Sequence, residues 1–380
     1  MTTITAMTAT VGLGIAAPLP APLGAGAATA TAAAPRATRQ AHPLVIAHRG
    51  ASGYRPEHTL ASYRLGIELG ADYVEPDLVS TRDGVLVARH ENDITGTTDV
   101  ADHTEFADRR TTKTVDGRQI TGWFTEDFTL AELRTLRAVE RVADVRPSNT
   151  RYDGRFTIPT FDEVLDLVRR ESRRTGRRIG VYPETKHPTY FASIGLPLEE
   201  PLVAALRRHD LDRRGSNVFI QSFETTNLRE LKGRTDVSLI QLLDASGAPA
   251  DLVAQGDRRR YADLLTPAGL RQIARYADGV GAHKDLVLPR DPRTGATGEP
   301  STLVRDAHER GLLVHVWTLR DENRFMATNF RRGSDPAAKG DAVAEATAFL
   351  DAGVDGIFTD QPDTTVEARR EWWDASARAS

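Results

Sequence analysis

Apolar residues along this chain gather in short runs of Val, Ile and Leu, separated by longer segments where apolar and polar positions recur at helical spacing. The runs at 44–47, 72–77, 179–183, 218–222, 237–243, 279–283, 312–317 and 355–359 read as strands. Apolar runs without polar alternation suit strands covered on both faces. The amphipathic stretches 59–69, 160–174, 198–209, 224–232, 267–276, 301–310 and 341–352 read as the covering helices. Eight such repeats predict an α/β fold, a closed TIM (β/α)8 barrel. A doubly wound sheet would need a glycine-rich dinucleotide or phosphate loop, and the sequence has none.

One spacing departs from the repeat. About a hundred residues separate the second strand from the third, far more than an ordinary connection. Within them, 85–88 follow the turn signal Asp83-Gly84 and read as the return strand of a hairpin. Residues 94–129 are polar, 130–141 read as helical, and an irregular stretch leads to Pro159. The segment 92–158 is therefore expected to be an inserted subdomain on the loop-bearing face, lidding the site. The expected layout is a leader at 1–42, the main domain at 43–365 and a C-terminal helical tail at 366–380.

Composition narrows the function. The 380 residues carry a net charge of -4, without the positive excess of a nucleic-acid binder. There is no cysteine, which removes disulfides, thiolate nucleophiles and cysteine metal sites together. Residues 1–35 lack Asp, Glu, Lys, Arg and His, and small residues such as Ala25-Gly26-Ala27 follow a weakly apolar stretch. This predicts a signal peptide or disordered leader and a secreted or extracytoplasmic protein, although the usual positive n-region is missing. No stable membrane span is expected in the main domain.

The candidate chemistry lies at strand ends. Glu75 and Asp77, two apart, share one face of a strand, and a bound divalent cation would relieve their repulsion. Glu184 ends the third strand and can join them. Three carboxylates form a hard oxygen set that favours Mg²⁺ or Ca²⁺ over zinc. His48, in Ala47-His48-Arg49-Gly50, and His90 offer one group to take a proton and one to give it. Arg49 and Lys186 can hold phosphoryl oxygens, and Gly50 would let backbone approach them. Phe223 and Trp317 can wall a substrate alcohol, while Gln221 can orient a hydroxyl or a ligating carboxylate. Together these groups suit cleavage of a phosphoester.

The same motifs, in this order, resemble those of the bacterial periplasmic and secreted glycerophosphodiester phosphodiesterases. The matching residues are His48-Arg49-Gly50, Glu57-His58-Thr59, Glu75-Pro76-Asp77, His90, Glu184-Thr185-Lys186, Gln221-Ser222-Phe223-Glu224 and Thr359-Asp360-Gln361-Pro362. Glu224 stands where Asp is frequent, and Thr185 where Ile is common. The resemblance implies a TIM barrel with an insertion after the second strand. It implies a Ca²⁺ or Mg²⁺ site at Glu75, Asp77 and Glu184, with Glu57 in the same cluster. His48 and His90 would be the acid/base pair, and Arg49 and Lys186 the phosphate contacts. The implied reaction hydrolyses small-molecule glycerophosphodiesters, such as glycerophosphocholine or glycerophosphoethanolamine, to glycerol 3-phosphate and an alcohol through a cyclic phosphate. The rivals are a phospholipase D-like enzyme, a teichoic-acid phosphodiesterase and a non-catalytic binder of anionic headgroups.

Overall fold

The structure, a computed structural model, describes residues 42–379. All of the expected leader but its last residue lies outside them. The strands are β1 (Leu44–His48), β2 (Tyr73–Glu75), β3 (Asp77–Ser80), β4 (Leu86–Ala88), β5 (Thr111–Val115), β6 (Arg118–Gly122), β7 (Gly180–Val181), β8 (Glu184–Thr185), β9 (Phe219–Ser222), β10 (Ser238–Leu243), β11 (Gly279–His283), β12 (Leu313–Leu319) and β13 (Gly356–Thr359). Eleven of them form one curled sheet in the order β4-β3-β8-β9-β10-β11-β12-β13-β1-β2-β7, and β5 and β6 pair as a separate hairpin.

This order corrects the expected closed barrel of eight strands. The sheet has eleven strands and runs as an open half-barrel from β4 at one end to β7 at the other. The cause is local. Pro76 and Pro183 carry no N–H for the ladder, so each interrupts an expected strand. The run 72–77 divides into β2 and β3, and the run 179–183 into β7 and β8. β2 then pairs with β7, and β3 with β8, as separate ladders. Beyond β7 a single bridge, Val181 to Val218, replaces a ladder. β4 adds the antiparallel return foreseen after Asp83-Gly84.

The helices follow the amphipathic pattern closely. Phe161–Thr175 starts at a reciprocal cap between Thr160 and Glu163, buries Phe161, Val164, Leu165 and Val168, and stops at left-handed Gly176. The insertion departs from expectation. Only Leu130–Leu133 of the predicted helix 130–141 is helical, and Ala138 instead bridges back to Thr98. Phe106, Phe128 and Leu133 are buried in the same core as the strands. The final helix, Pro362–Ala379, runs across the expected boundary at 365. No helix among the described residues is long and apolar enough to cross a membrane.

Alternation along the strands divides the interior in two. Val45, Ala47 and Val74 face the helices, while Leu44, Ile46, Tyr73, Tyr182, Phe219, Ile240 and Phe358 form a second cluster on the concave side. Tyr182 lies at its centre, with ring centroids 4.9 Å from Phe358 and 5.0 Å from Phe219, and its hydroxyl is 2.8 Å from His315 Nδ1. Burial lowers His315 to about 4, so this histidine is neutral packing.

Gly180 shows how tightly that layer is filled. A Cβ there would overlap the Tyr73 ring. Gly180→Ala is expected to cost about 1–3 kcal/mol, the usual effect of overpacking, as a lower urea midpoint with an unchanged slope.

Candidate active site

The strands that build the concave apolar layer continue it, two residues on, with polar side chains. Ile46 leads to His48, Tyr73 to Glu75 and Asp77, Tyr182 to Glu184 and Lys186, Phe219 to Gln221, and Phe358 to Asp360. The apolar layer is thus the floor of the site. Above it lies a cavity of about 330 Å³ whose walls include His48, Arg49, His90, Lys186, Phe223 and Trp317.

Glu75, Asp77 and Glu184 come together as expected, each offering an oxygen within 4.8 Å of the others, all buried. Burial and the neighbouring carboxylates push Glu75 well above the usual carboxylate range. Burial, with Asp77 beside it, raises Glu184 to about 8 even though Lys186 Nζ lies 3.0 Å away. Burial would raise Asp77 too, but a 2.9 Å hydrogen bond from His58 Nε2 and the charges of Lys186 and His90 hold it well below. His58 is itself anchored by Tyr63, with Nδ1 2.7 Å from the hydroxyl. Gln221 donates to Glu75 Oε1 at 3.2 Å, and its own Oε1, like Asp77 Oδ1, is buried without a partner. Unpartnered buried oxygens amid carboxylates that repel one another fit a hard divalent cation.

Glu57 is not in that trio. Its carboxylate accepts from Arg49 Nη1 at 3.0 Å and from Arg141 Nε at 2.9 Å. It thereby fixes Arg49, whose backbone N–H also donates to Glu75 Oε2 at 2.8 Å and whose Nε lies 3.5 Å from Asp77. These carboxylates raise the Arg49 pKa despite its burial, so the guanidinium stays charged. Gly50 also has a structural task. At φ +87° it turns the chain beneath the helix Leu60–Glu68, where a Cβ would lie 2.7 Å from Tyr63 N.

The two histidines flank the cavity from different elements. His48 Nδ1 is 2.6 Å from Asp360 Oδ1. Burial and Arg49 lower His48 to about 4, against the pull of Asp360. His90 Nδ1 is 3.0 Å from Glu91, and Lys186 Nζ is 3.5 Å from His90 Nε2. Burial, Arg49 and Lys186 lower His90 to about 3. Phe223 and Trp317 meet edge to face, centroids 5.6 Å apart, and Lys186 Nζ lies 5.7 Å from the Phe223 centroid. The sequence motifs contain Asp360 and His58 but give no partner role to them or to Arg141 and Arg146. The placement of Asp360 two residues beyond Phe358 was the available signal; the two insertion arginines carried none.

A model described as the glycerophosphoryl diester phosphodiesterase family matches residues 48–364. Glycerophosphodiester phosphodiesterase GDPD6 of Arabidopsis thaliana is 36% identical over 341 residues, 86% of each chain. The glycerophosphodiester phosphodiesterase of Haemophilus influenzae is 29% identical over 343 residues, 85% of this chain and 89% of its own. Two solved structures share the fold. A putative glycerophosphoryl diester phosphodiesterase from Silicibacter pomeroyi has a TM-score of 0.60 at 21% identity, covering 88% of this chain and 95% of its own. An Oleispira antarctica phosphodiesterase, in complex with the product sn-glycerol-3-phosphate, has a TM-score of 0.56 at 19% identity, covering 86% and 96%.

One contact at the rim of the site makes a pH prediction. His187 lies between Asp116, at the tip of the β5–β6 hairpin, and Glu91, at 2.6 and 2.7 Å. Burial would lower it, but these carboxylates raise it to about 9. Its stabilisation is present in full below the unfolded value of about 6.5 and is lost as pH rises through the folded value. Urea unfolding should therefore show wild type more stable than His187→Gln by about 2–3 kcal/mol at pH 6, a gap that closes by about pH 10. An equal gap at both pH values would contradict the assigned ion pairs.

Proposed function

The chain belongs to the glycerophosphoryl diester phosphodiesterase family, and from that premise we propose that it hydrolyses glycerophosphodiesters such as glycerophosphocholine or glycerophosphoethanolamine to glycerol 3-phosphate and the free alcohol. The observation that carries this reading is the meeting of an oxygen-only carboxylate trio, two histidines, an arginine and a lysine around one cavity. Glu75, Asp77 and Glu184 would hold the divalent cation, Ca²⁺ or Mg²⁺. When bound, it would neutralise charge on the phosphoryl oxygens.

Arg49 and Lys186 hold the phosphodiester and draw its charge into the site. His48, neutral and steadied through Nδ1, accepts the proton of the glycerol hydroxyl next to the phosphate. That oxygen then attacks phosphorus to give a cyclic phosphate, which water opens in a second step. Placing the hydroxyl in line with the leaving bond supplies much of the rate. His90 gives a proton to the departing alcohol. The arriving phosphodiester anion offsets the positive field of Arg49 and Lys186, which raises the His90 pKa toward the range a proton donor needs. Phe223 and Trp317 wall the alcohol, and Gln221 steadies Glu75.

The resemblance to the periplasmic and secreted subgroup, with the uncharged segment 1–35, supports export to an extracytoplasmic space.

Glycerophosphocholine and intact phosphatidylcholine, incubated in parallel with the purified protein and resolved by mass, test the reading. Glycerol 3-phosphate and choline should form from the first substrate only. Choline release from the intact lipid would favour the phospholipase D-like rival, and no turnover of either would leave a binding module. His48→Ala and His90→Ala should each lower kcat at least ~100-fold with unchanged melting temperature. Near-wild-type turnover in either variant refutes that histidine's role. EDTA should abolish turnover and added Ca²⁺ or Mg²⁺ restore it, while Glu75→Gln should weaken Ca²⁺ binding in calorimetry. Full activity after exhaustive chelation removes the metal from the mechanism.

A further inference from the structure

Two arginines and the imidazole of His48 converge on the carboxylate of Asp360, just beyond β13. Oδ1 lies 2.6 Å from His48 Nδ1, while Oδ2 accepts from Arg146 Nη2 at 2.7 Å and from Arg320 Nε at 2.7 Å. The side chain is 3% exposed. Burial would raise its pKa, yet Arg320 and Arg146 hold it well below the usual range. Gripped by two guanidinium groups, Asp360 is an anion and can only accept. The proton shared with neutral His48 must then sit on Nδ1. Nε2 keeps its lone pair, has no hydrogen-bond partner among the described residues, and belongs to a residue lining the cavity.

Arg146 comes from the inserted stretch and is held on three sides. Nε donates to Glu322 Oε1 at 2.6 Å, Nη2 reaches Glu322 Oε2 at 3.2 Å, and Nη1 donates to the Ser52 carbonyl at 3.1 Å. Glu322 is pinned in turn by Gln361 Nε2 at 3.1 Å. The guanidinium has little freedom, so the carboxylate it grips has little either.

We infer that Asp360 is the positioning residue that fixes the ring plane and the Nδ1–H tautomer of His48, and that Arg146 of the inserted segment holds Asp360 in that pose. The inference rests on the reading above in which His48 accepts the substrate proton. It gives the insertion a part in catalysis that a lid would not have, because it acts on the catalytic base from behind and not on substrate access.

The direct test is the tautomer of His48 in the wild-type protein. Long-range ¹H–¹⁵N spectra of histidine-labelled enzyme, with His48 identified by its loss in His48→Gln, should show one neutral form protonated on Nδ1. An Nε2–H form, or an averaged mixture, overturns the inference. Asp360→Asn keeps the shape but can donate to Nδ1, which drives the proton to Nε2. In this variant kcat should fall at least ~100-fold with KM within about threefold. A merely structural residue would leave the tautomer in place and shift stability instead. Arg146→Gln should lower kcat by about 10-fold at nearly constant KM, and it serves if Asp360→Asn does not fold. A kcat within threefold of wild type in both variants overturns the inference while leaving the proposed reaction intact. An Nδ1–H tautomer in a wild-type enzyme that turns over no glycerophosphodiester would support the positioning and defeat the reaction.

Discussion

Buried like charge is the constraint on which the site depends. Glu57, Glu75, Asp77, Glu184 and Asp360 are all removed from water, and isolated buried carboxylates would protonate or destabilise the fold. The surrounding residues solve this in two ways. At Glu57 and Asp360 the compensation is complete, each carboxylate being gripped by two arginines. At Glu75 and Glu184 it falls short, and both are pushed upward. Of the uncompensated pair Glu184 lines the cavity, and the compensated carboxylates hold Arg49 and His48, which line it too.

That contrast separates two kinds of acidic residue that the motifs could not. Glu57 lies in a motif that the family resemblance assigns to the metal cluster, yet its nearest cations are Arg49, eight residues away, and Arg141, eighty-four residues away. The local spacing predicted Glu75 with Asp77 because both lie on one strand face, where period two is decisive. Nothing local identifies Arg141 or Arg146, since their partners are fixed by how the insertion folds back. The pairing of Arg146 with Asp360 spans 214 positions.

The fold was legible to a similar depth and for similar reasons. Apolar runs marked the strands, and amphipathic stretches marked the helices to within a few residues. The pairing order was not legible, because it depends on which distant strand each half of an interrupted run joins. Pro76 and Pro183 break the second and third strands beside the acidic residues, and the expected ring of eight becomes an open sheet of eleven. The same breaks allow Glu75 and Asp77 to belong to separate ladders while their carboxylates still meet that of Glu184. Helical expectation failed in the insertion at 134–141, where contacts with residues near 98 outweigh intrinsic preference.

Arg141 and Arg146 stand five residues apart on one short stretch, and their carboxylate partners hold the adjacent residues Arg49 and His48. The stretch is therefore not a detachable cassette. Exchange with a relative's loop, or trimming to a minimal scaffold, would strand two carboxylates of the domain with half their counter-charge, and breaking a buried pair such as Arg146 with Asp360 commonly costs about 3–5 kcal/mol. Drift in the loop and drift in the domain beneath it are consequently bound to one another, so the segment inherits as part of the enzyme and not as an accessory to it.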